Sequence, residues 1–246
     1  MAAARSVDEI GGIGAALPLS VGVLAGGMST RMGVDKALLS LTDGGPPLLQ
    51  LVLERTRPLT DDCFVVAAER PTYTRFGARV VPDLRPGLGA LGGIATAIAA
   101  ARHEHVLVVA CDMPLLSLPL LWHMRAMERD YDVLIPALPG ESRQGRKVVY
   151  QTLHAIYSRN CLAPIERRLD AGRLQVIGFF DEARVREVDE ATVRRFDPEL
   201  HSFVNANTPA AAEAARRLLD LNAEAENDLA QPTSPIIEGG QSKGRP

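Results

Sequence analysis

Short apolar runs alternate with helix-like stretches through most of this chain, and no other feature constrains its fold as strongly. The candidate strands are Val21–Leu24, Cys63–Ala68, Ala78–Pro82, Val106–Cys111, Val133–Pro136 and Val185–Val188. The helix-like stretches are Leu48–Arg57, Leu91–Arg102, Pro119–Arg129, Cys161–Asp170 and Pro209–Leu221. Nearly unbroken runs of Val, Leu and Ile between helices are typical of parallel strands covered on both faces. The sequence therefore predicts an α/β fold with a mostly parallel central sheet and helices on both faces, in which the mixed segment Lys147–Ser158 could form an antiparallel excursion.

Length and composition predict one domain with an extension at each end. A chain of 246 residues, 46% of them hydrophobic, can bury one sizeable core. Residues 1–18 lack the basic-then-apolar layout of a secretion signal, and we expect them to form a loose extension. Residues 222–246 are polar and rich in Pro, Gly and Ser, which predicts a disordered tail. Residues 19–221 would then form the single domain.

Charge and composition argue against several classes of partner. The net charge of −3 and the aromatic content of 4% disfavour a nucleic-acid-binding surface. No apolar run is long enough to predict a membrane span. The odd set of cysteines (Cys63, Cys111 and Cys161) contains no CxxC, so we expect reduced thiols in a cytoplasmic protein. The histidines show no zinc-binding spacing, and His103 and His105 are expected to be exposed.

A glycine loop follows the first apolar run and contains two cations. Residues 24–36 include the paired glycines Gly26 and Gly27, then Arg31 and Lys36. Glycines let backbone N–H groups surround an anion closely, so the loop predicts a nucleotide polyphosphate site. Lys36 could contact the α-phosphate, and Arg31 could bind the β- and γ-phosphates through two hydrogen bonds. The alternative for each cation is a solvated loop residue.

Two aspartates stand where later candidate strands end. Asp112 follows Val106–Cys111 and could hold Mg²⁺ against phosphate oxygens, or it could cap the next helix. Asp83 follows Ala78–Pro82 and could help to bind the nucleotide, or it could serve a turn. Ligands of such sheets bind at the carboxyl ends of the strands, so we expect these aspartates and the glycine loop to share one edge.

A second glycine pattern allows a different function. The stretch Gly87–Gly92 matches G-x-G-x-x-G, with Asp112 as the acid twenty residues later, which is formally a dinucleotide fingerprint. The match is weak because Asp83–Pro86 separates the strand from the first glycine. The spacing of Gly27 and Gly33 does not fit a Walker A loop, which disfavours P-loop ATPase chemistry.

The segment Phe203–Pro209 precedes the last predicted helix. Thr208 and Pro209 fit an N-cap and a first helical position. In an extended backbone, Asn205 and Asn207 would point to the same side and could offer two amides to an acceptor substrate.

Several of these residues together resemble the molybdenum cofactor guanylyltransferase family of the nucleotidyltransferase superfamily. The matching segments, in that family's order, are Leu24–Gly27, Arg31–Gly33, Lys36, Cys111–Pro114 and Phe203–Pro209, and the similarity covers about residues 20–220. The form Ala25-Gly26-Gly27 resembles the guanylyl branch, whereas cytidylyl relatives typically have Ala-Ala-Gly. The resemblance implies a single Rossmann-like domain that transfers GMP from GTP to molybdenum-bearing molybdopterin and releases pyrophosphate.

The resemblance also implies a role for each matching residue. Leu24, Ala25, Gly26 and Gly27 would bind the nucleotide with Lys36 and Asp83, and Asp112 would bind both the nucleotide and Mg²⁺. Lys36, Arg31 and Asp112 would carry the catalysis, and Asn205 and Asn207 would lie on the acceptor side. The substrates would be GTP and a molybdopterin-type cofactor, and molybdoenzymes or their chaperones are further expected partners.

Departures from the family pattern leave alternatives open. The base-side stretch Ala67–Arg70 lacks a common asparagine, Gly89-Ala90-Leu91 replaces Gly-Pro-Leu, and Gln151-Thr152-Leu153 replaces Gln-Pro-Leu. A cytidylyltransferase or sugar-phosphate nucleotidyltransferase is therefore the nearest alternative. A non-catalytic nucleotide-binding protein and an NAD-dependent oxidoreductase are alternatives of other classes.

Overall fold

The computed structural model describes residues 17–26, 35–68, 71–142, 145–206 and 210–219. The predictions for Gly27, Arg31, Asn207, most of the N-terminal extension and the C-terminal tail lie outside the described residues. No described helix is both long and apolar enough to cross a bilayer.

One sheet of eight strands organises the described chain. The strands are β1 (Ser20–Leu24), β2 (Asp62–Ala67), β3 (Arg79–Pro82), β4 (His105–Ala110), β5 (Val133–Ser142), β6 (Gly145–Tyr150), β7 (His154–Ser158) and β8 (Val185–Asp189). Their order is β3-β2-β1-β4-β7-β5-β6, and β8 pairs with β5. Within the described sheet, β6 and β7 run opposite to the other strands, which are all parallel to one another. The predicted α/β fold with a mostly parallel sheet is confirmed.

Helices cover both faces of the sheet because side chains alternate along each strand. The helices are α1 (Leu48–Thr56), α2 (Gly89–Ala100), α3 (Leu118–Ala126), α4 (Leu162–Asp170) and α5 (Glu190–Phe196), and residues 210–219 are also helical. On β4, Leu107 and Val109 join a cluster with residues of α1, α3 and α5. Val106 and Val108 join a second cluster with residues of α2 and α4. Each face therefore has its own buried core.

The sequence patterns located the parallel strands well and the antiparallel region less completely. Lys147–Ser158 does form an antiparallel excursion, as β6 and β7. The candidate strand Val133–Pro136 is too short, since β5 continues to Ser142 in a hairpin with β6. Helix α5 was not predicted; Asp189 caps it by accepting a hydrogen bond from the Thr192 N–H at 2.8 Å.

Carboxylates that accept several hydrogen bonds connect the strands at the amino-terminal edge of the sheet. Asp62, the first residue of β2, is buried and accepts hydrogen bonds from Ser20 Oγ at 2.7 Å, the Arg102 N–H at 2.9 Å and Arg79 Nη2 at 3.0 Å. Burial alone would raise the pKa of Asp62, but these hydrogen bonds together lower it. This carboxylate therefore ties β1, β2, β3 and the start of β4 together.

Asp132, just before β5, makes a similar junction. Its carboxylate accepts from Arg184 Nε at 3.0 Å, from the Arg184 N–H at 3.0 Å and from Asn160 Nδ2 at 2.9 Å. The Arg184 side chain is the main reason that the pKa of Asp132 lies far below its usual range. This second junction connects the starts of β5 and β8 with the end of β7.

Candidate active site at the carboxyl edge of the sheet

The ends of three neighbouring strands bring the sequence-predicted loops together. Leu24 of β1 is in register with Val66 of β2 and with Ala110 of β4. The Ala25 N–H donates to the Val66 carbonyl at 2.9 Å, and the Cys111 N–H donates to the Leu24 carbonyl at 3.0 Å. Ala25 and Gly26, which begin the glycine loop, and the residues before Asp112 thus leave the sheet side by side, as the strand pattern predicts.

Gly26 is exposed just beyond β1. A Cβ atom placed on it would lie 3.7 Å from the Ala67 Cα and 3.9 Å from the Val66 carbonyl oxygen, which are ordinary contacts. Its φ is not in the left-handed region. The described protein therefore does not itself require glycine here, whereas close approach of a ligand to the backbone would.

Lys36 begins a short 3₁₀ turn, Lys36–Leu38, that is capped by Asp35. The Asp35 Oδ1 atom accepts a hydrogen bond from the Ala37 N–H at 3.2 Å. Ala37 is buried in the same cluster as Cys111, which anchors the turn beside the end of β4. Lys36 itself is half-buried, and its charge lowers the pKa of Asp112. The cation and the acid therefore lie within electrostatic reach of each other.

Asp112 is half-buried, and the loss of solvation disfavours the charged form of its carboxyl group. Burial raises its pKa, and its own backbone N–H and the positive charge of Lys36 only partly oppose that effect. The alternative role as a helix cap is wrong, because Ser117 caps α3 by accepting a hydrogen bond from the Leu120 N–H at 3.3 Å. The neighbouring thiol is inert, since burial raises the pKa of Cys111 to about 12.

Asp83 directly follows β3, and its side chain stabilises the turn after that strand, which was its alternative predicted role. Its N–H donates to the Ala67 carbonyl at 3.0 Å. Its Oδ1 atom accepts from the Arg85 N–H and from Thr96 Oγ1, both at 3.0 Å. Among the described residues, no hydrogen bond is made to the Oδ2 atom of Asp83, so one oxygen can still accept from a ligand.

Asn205 reaches the same edge from the far end of the chain. The neighbouring Ala206 N–H donates to the Asp112 carbonyl at 2.8 Å, which places the segment directly beside the acid. The Asn205 side chain is exposed. One of the two predicted asparagines therefore lies at the carboxyl edge, and Asn207 is outside the described residues.

The second glycine pattern has a local structural explanation. Gly87 and Gly89 have φ values of +82° and +66°, which disfavour other residues. A Cβ atom on Gly92 would lie 2.8 Å from the Arg85 carbonyl oxygen. The loop also follows β3 at the outer side of the sheet, not a central strand. These features account for the glycines without a dinucleotide.

The histidines include one residue that sequence reasoning missed. His154 begins β7 and pairs with Val109, near the end of β4. Its side chain is fully buried, and the centroid of its ring lies 5.0 Å from the centroid of the Phe203 ring. Burial lowers its pKa to about 4. The expectation that His105 is exposed is wrong, since it is buried edge-on against Tyr131. Only the apolar neighbours of each histidine could have signalled this.

The geometry defines a class, an α/β protein with a candidate ligand site at the carboxyl edge of its sheet, and comparison with known proteins identifies the family within that class. The family model described as "MobA-like NTP transferase domain" matches residues 21–185. The chain belongs to this family. The probable molybdenum cofactor guanylyltransferase of Pelotomaculum thermopropionicum is 36% identical over 194 residues, covering 79% of this chain and 90% of the relative. The molybdenum cofactor guanylyltransferase of Desulfosudis oleivorans is 33% identical, covering 78% of this chain and 92% of the relative.

Solved structures share the fold. Molybdopterin-guanine dinucleotide biosynthesis protein A from Archaeoglobus fulgidus superposes with a TM-score of 0.68 at 26% identity, covering 82% of this chain and 99% of that protein. The CMP:2-keto-3-deoxy-manno-octonic acid synthetase complexed with CTP gives a TM-score of 0.60 at 16% identity, covering 84% of this chain and 100% of that protein. The second likeness concerns the fold alone.

Proposed function

We propose that this chain is a molybdenum cofactor guanylyltransferase. It transfers GMP from GTP to the phosphate of molybdenum-bearing molybdopterin, releases pyrophosphate and forms the guanine dinucleotide cofactor. The names of the relatives reported above support this activity. The observation that carries the proposal is that Lys36 lies within electrostatic reach of Asp112 and that the residues before Asp112 leave the sheet beside the start of the glycine loop, at the edge where such sheets bind ligands.

The reaction is an in-line attack of the acceptor phosphate on the α-phosphorus of GTP. Positioning and charge stabilisation account for most of the catalysis in phosphoryl transfer, and we extend that principle to nucleotidyl transfer. An acceptor phosphate is already ionised near neutral pH, so the site needs no strong general base. Lys36 and the backbone N–H groups at Gly26 would meet the negative charge that develops around the α-phosphate.

The nucleotide would lie across the ends of β1, β2 and β3. Leu24, Ala25 and Gly26 would follow the phosphates, and the remaining Asp83 oxygen would accept a hydrogen bond from the nucleoside. Asn205 would contact the acceptor, since its segment is hydrogen-bonded to Asp112 on the side of β4. The nucleotide contact of Gly27, the phosphate contact of Arg31 and the acceptor contact of Asn207 remain predictions from the sequence.

The residues at Asp112 fit Mg²⁺. Among the described residues, no group of three or more His, Cys, Asp or Glu side chains could hold a metal alone. Magnesium commonly takes one or two protein carboxylates and completes its shell with water and substrate phosphates. A carboxylate whose pKa is raised by burial would gain from a cation beside it. When bound, Mg²⁺ would supply Lewis-acid stabilisation of the phosphate oxygens.

Pyrophosphate release with each of the four nucleoside triphosphates, with and without a molybdopterin-type acceptor, tests the proposal. We expect acceptor-dependent release with GTP. Turnover with CTP in place of GTP would identify a cytidylyltransferase. Tight GTP binding without pyrophosphate release would identify a non-catalytic binding protein. Cytoplasmic location and contact with molybdoenzymes or their chaperones remain predictions of the same proposal.

A further inference from the structure

A buried tyrosine in the connection between β2 and β3 contacts the end of the glycine loop. Tyr73 lies in the 3₁₀ segment Pro71–Phe76, which joins β2 to β3, and its side chain is 0% exposed. It packs in the cluster that contains Ala37 and Ala67. Its hydroxyl lies 2.8 Å from Asp35 Oδ1 and 2.8 Å from Asp35 Oδ2. A buried hydroxyl thus donates to the carboxylate immediately before Lys36.

Asp35 connects this contact to the turn that presents Lys36. Its Oδ1 atom also accepts from the Ala37 N–H at 3.2 Å, which closes the first turn of Lys36–Leu38. The Tyr73 hydroxyl contacts both carboxylate oxygens and therefore fixes the plane of the capping group. A cap that is fixed in this way also fixes the direction in which the backbone leaves at Lys36.

The position of the Asp35 charge affects the chemistry of the site. Burial is the main reason that the pKa of Cys111 is raised, but Asp112 and Asp35 also raise it and Lys36 lowers it, so all three charges lie within electrostatic reach of one thiol. An acid beside Lys36 would compete with a phosphate for that cation. Because Tyr73 donates to both oxygens of Asp35, the carboxylate is held on the side of the β2–β3 connection.

We propose that Tyr73 is a positioning residue for the nucleotidyl transfer, which acts through Asp35 to aim Lys36 at the α-phosphate. The inference rests on the proposed function and adds a residue to it. Tyr73 does not touch the substrate itself. It works because a hydrogen bond to an ionised carboxylate is strong, and because small displacements of a catalytic group can cost much of the rate.

The first test measures the turn directly and requires no substrate. Tyr73→Phe removes only the hydroxyl and keeps the ring in the core. Tyr131→Phe is the matched control, because Tyr131 is equally buried and its hydroxyl accepts a hydrogen bond from Arg129 at the opposite edge of the sheet. We expect amide hydrogen exchange of residues 35–39 to rise in Tyr73→Phe and not in Tyr131→Phe. Unchanged exchange in Tyr73→Phe would overturn the inference.

The second test measures turnover with GTP, Mg²⁺ and the molybdopterin-type acceptor. We expect kcat to fall between about 10-fold and 100-fold in Tyr73→Phe, while the KM for GTP changes by less than about twofold. The shift in Tm relative to wild type should be similar for the two variants, so instability alone would affect them equally. Equal kcat values for wild type and Tyr73→Phe would refute the positioning role.

Asp35→Asn provides a further check, because asparagine keeps an oxygen that can accept from Ala37 but has no charge. If Tyr73 acts through Asp35, the double variant should lose less activity than the product of the two single losses. Fully multiplicative losses would contradict the proposed route. A wild-type protein inactive with GTP would instead disprove the proposed function, and the hydrogen-exchange comparison would still decide whether Tyr73 orders the turn.

Discussion

The pKa values of aspartates at the two edges of the central sheet are shifted in opposite directions. At the amino-terminal edge, hydrogen bonds and arginines lower the pKa of Asp62 and Asp132 below the ordinary value. At the carboxyl-terminal edge, burial raises the pKa of Asp112, and its own backbone N–H and the charge of Lys36 only partly offset that effect. The charged carboxylates are therefore stabilised by hydrogen bonds at one edge of the sheet, whereas the charged form of Asp112 is destabilised by burial at the other edge.

The difference separates groups that stabilise the fold from a group that awaits a ligand. A buried carboxylate with several donors contributes to stability, whereas one with few donors destabilises the folded protein. Perturbed titratable groups of the second kind cluster at functional sites. The contrast supports the assignment of Asp112 to chemistry and of Asp62 and Asp132 to architecture.

The largest expected effect follows from Asp112→Asn. Loss of the charge should lower kcat by at least about 10²–10³-fold, the usual cost of removing one electrostatic contact to a transition state. The free energy of unfolding without ligand should stay equal or rise, because the cost of burying the charge disappears. Pyrophosphate release and denaturant unfolding measure the two effects. A variant that turns over normally, or that unfolds much more easily than wild type, would contradict the comparison.

Lys36→Ala should give the next largest loss of turnover, about 10²-fold or more, in a protein that folds normally. The turn is anchored by the buried Ala37, whereas the Lys36 side chain is only half-buried, so we expect the variant to fold. Lys147→Ala is a suitable control, since Lys147 is an exposed lysine on β6. Equal kcat values for the two variants would refute the role of Lys36.

Asp62→Ala should affect stability and leave turnover intact. It would leave the buried Ser20 hydroxyl and the Arg102 N–H without their acceptor, and an unsatisfied buried polar group commonly costs about 1–3 kcal/mol. We expect a total of about 3 kcal/mol, because the Arg79 and Arg102 side chains are 40% and 67% exposed and can be solvated. Urea unfolding gives the free energy, and kcat should match wild type where the variant is folded.

Gly26→Ala should produce a smaller effect of the opposite kind. The protein has room for the added methyl group, so the free energy of unfolding should be unchanged or slightly higher. Affinity for GTP with Mg²⁺ should fall about 10-fold, because the methyl group meets the ligand and not the protein. Gly92→Ala is the control, since its Cβ would lie 2.8 Å from the Arg85 carbonyl oxygen and should destabilise the fold. Undiminished GTP affinity in Gly26→Ala would remove the reason to place phosphates there.

The smallest expected effect is on the pH dependence of stability. The lowered pKa of Asp62 and Asp132 means that their contribution is present above the unfolded value of 3.8 and is lost as the pH falls through the folded values. Asp112 has the opposite sign, because stability falls as the pH rises from 3.8 through its raised folded pKa. In Asp62→Asn, the free energy of unfolding should therefore fall less steeply than in wild type as the pH is lowered. Asp112→Asn should raise the free energy of unfolding more at pH 7 than at pH 3. Parallel pH–stability curves for both variants would contradict the assignment.

Much of the parallel sheet could be predicted because its strands are unbroken apolar runs. The end of β5 and all of α5 could not, since β5 continues into a partly exposed hairpin and α5 is a short polar helix. The acids at strand ends could be located from the same runs. Tyr73 and His154 could not be, because their neighbours come from distant parts of the chain.

The sequence by itself determined the parallel strands and most of the helices, the glycine loop and the presence of cations and acids near strand ends. Those features follow from local patterns of apolar and turn residues. Only the tertiary structure decided that Asp112 is not a helix cap, that Lys36 lies within reach of it, and that Tyr73 holds Asp35. Burial and contact depend on residues far apart in the chain, and each side chain acquires its charge environment only when the strands pair.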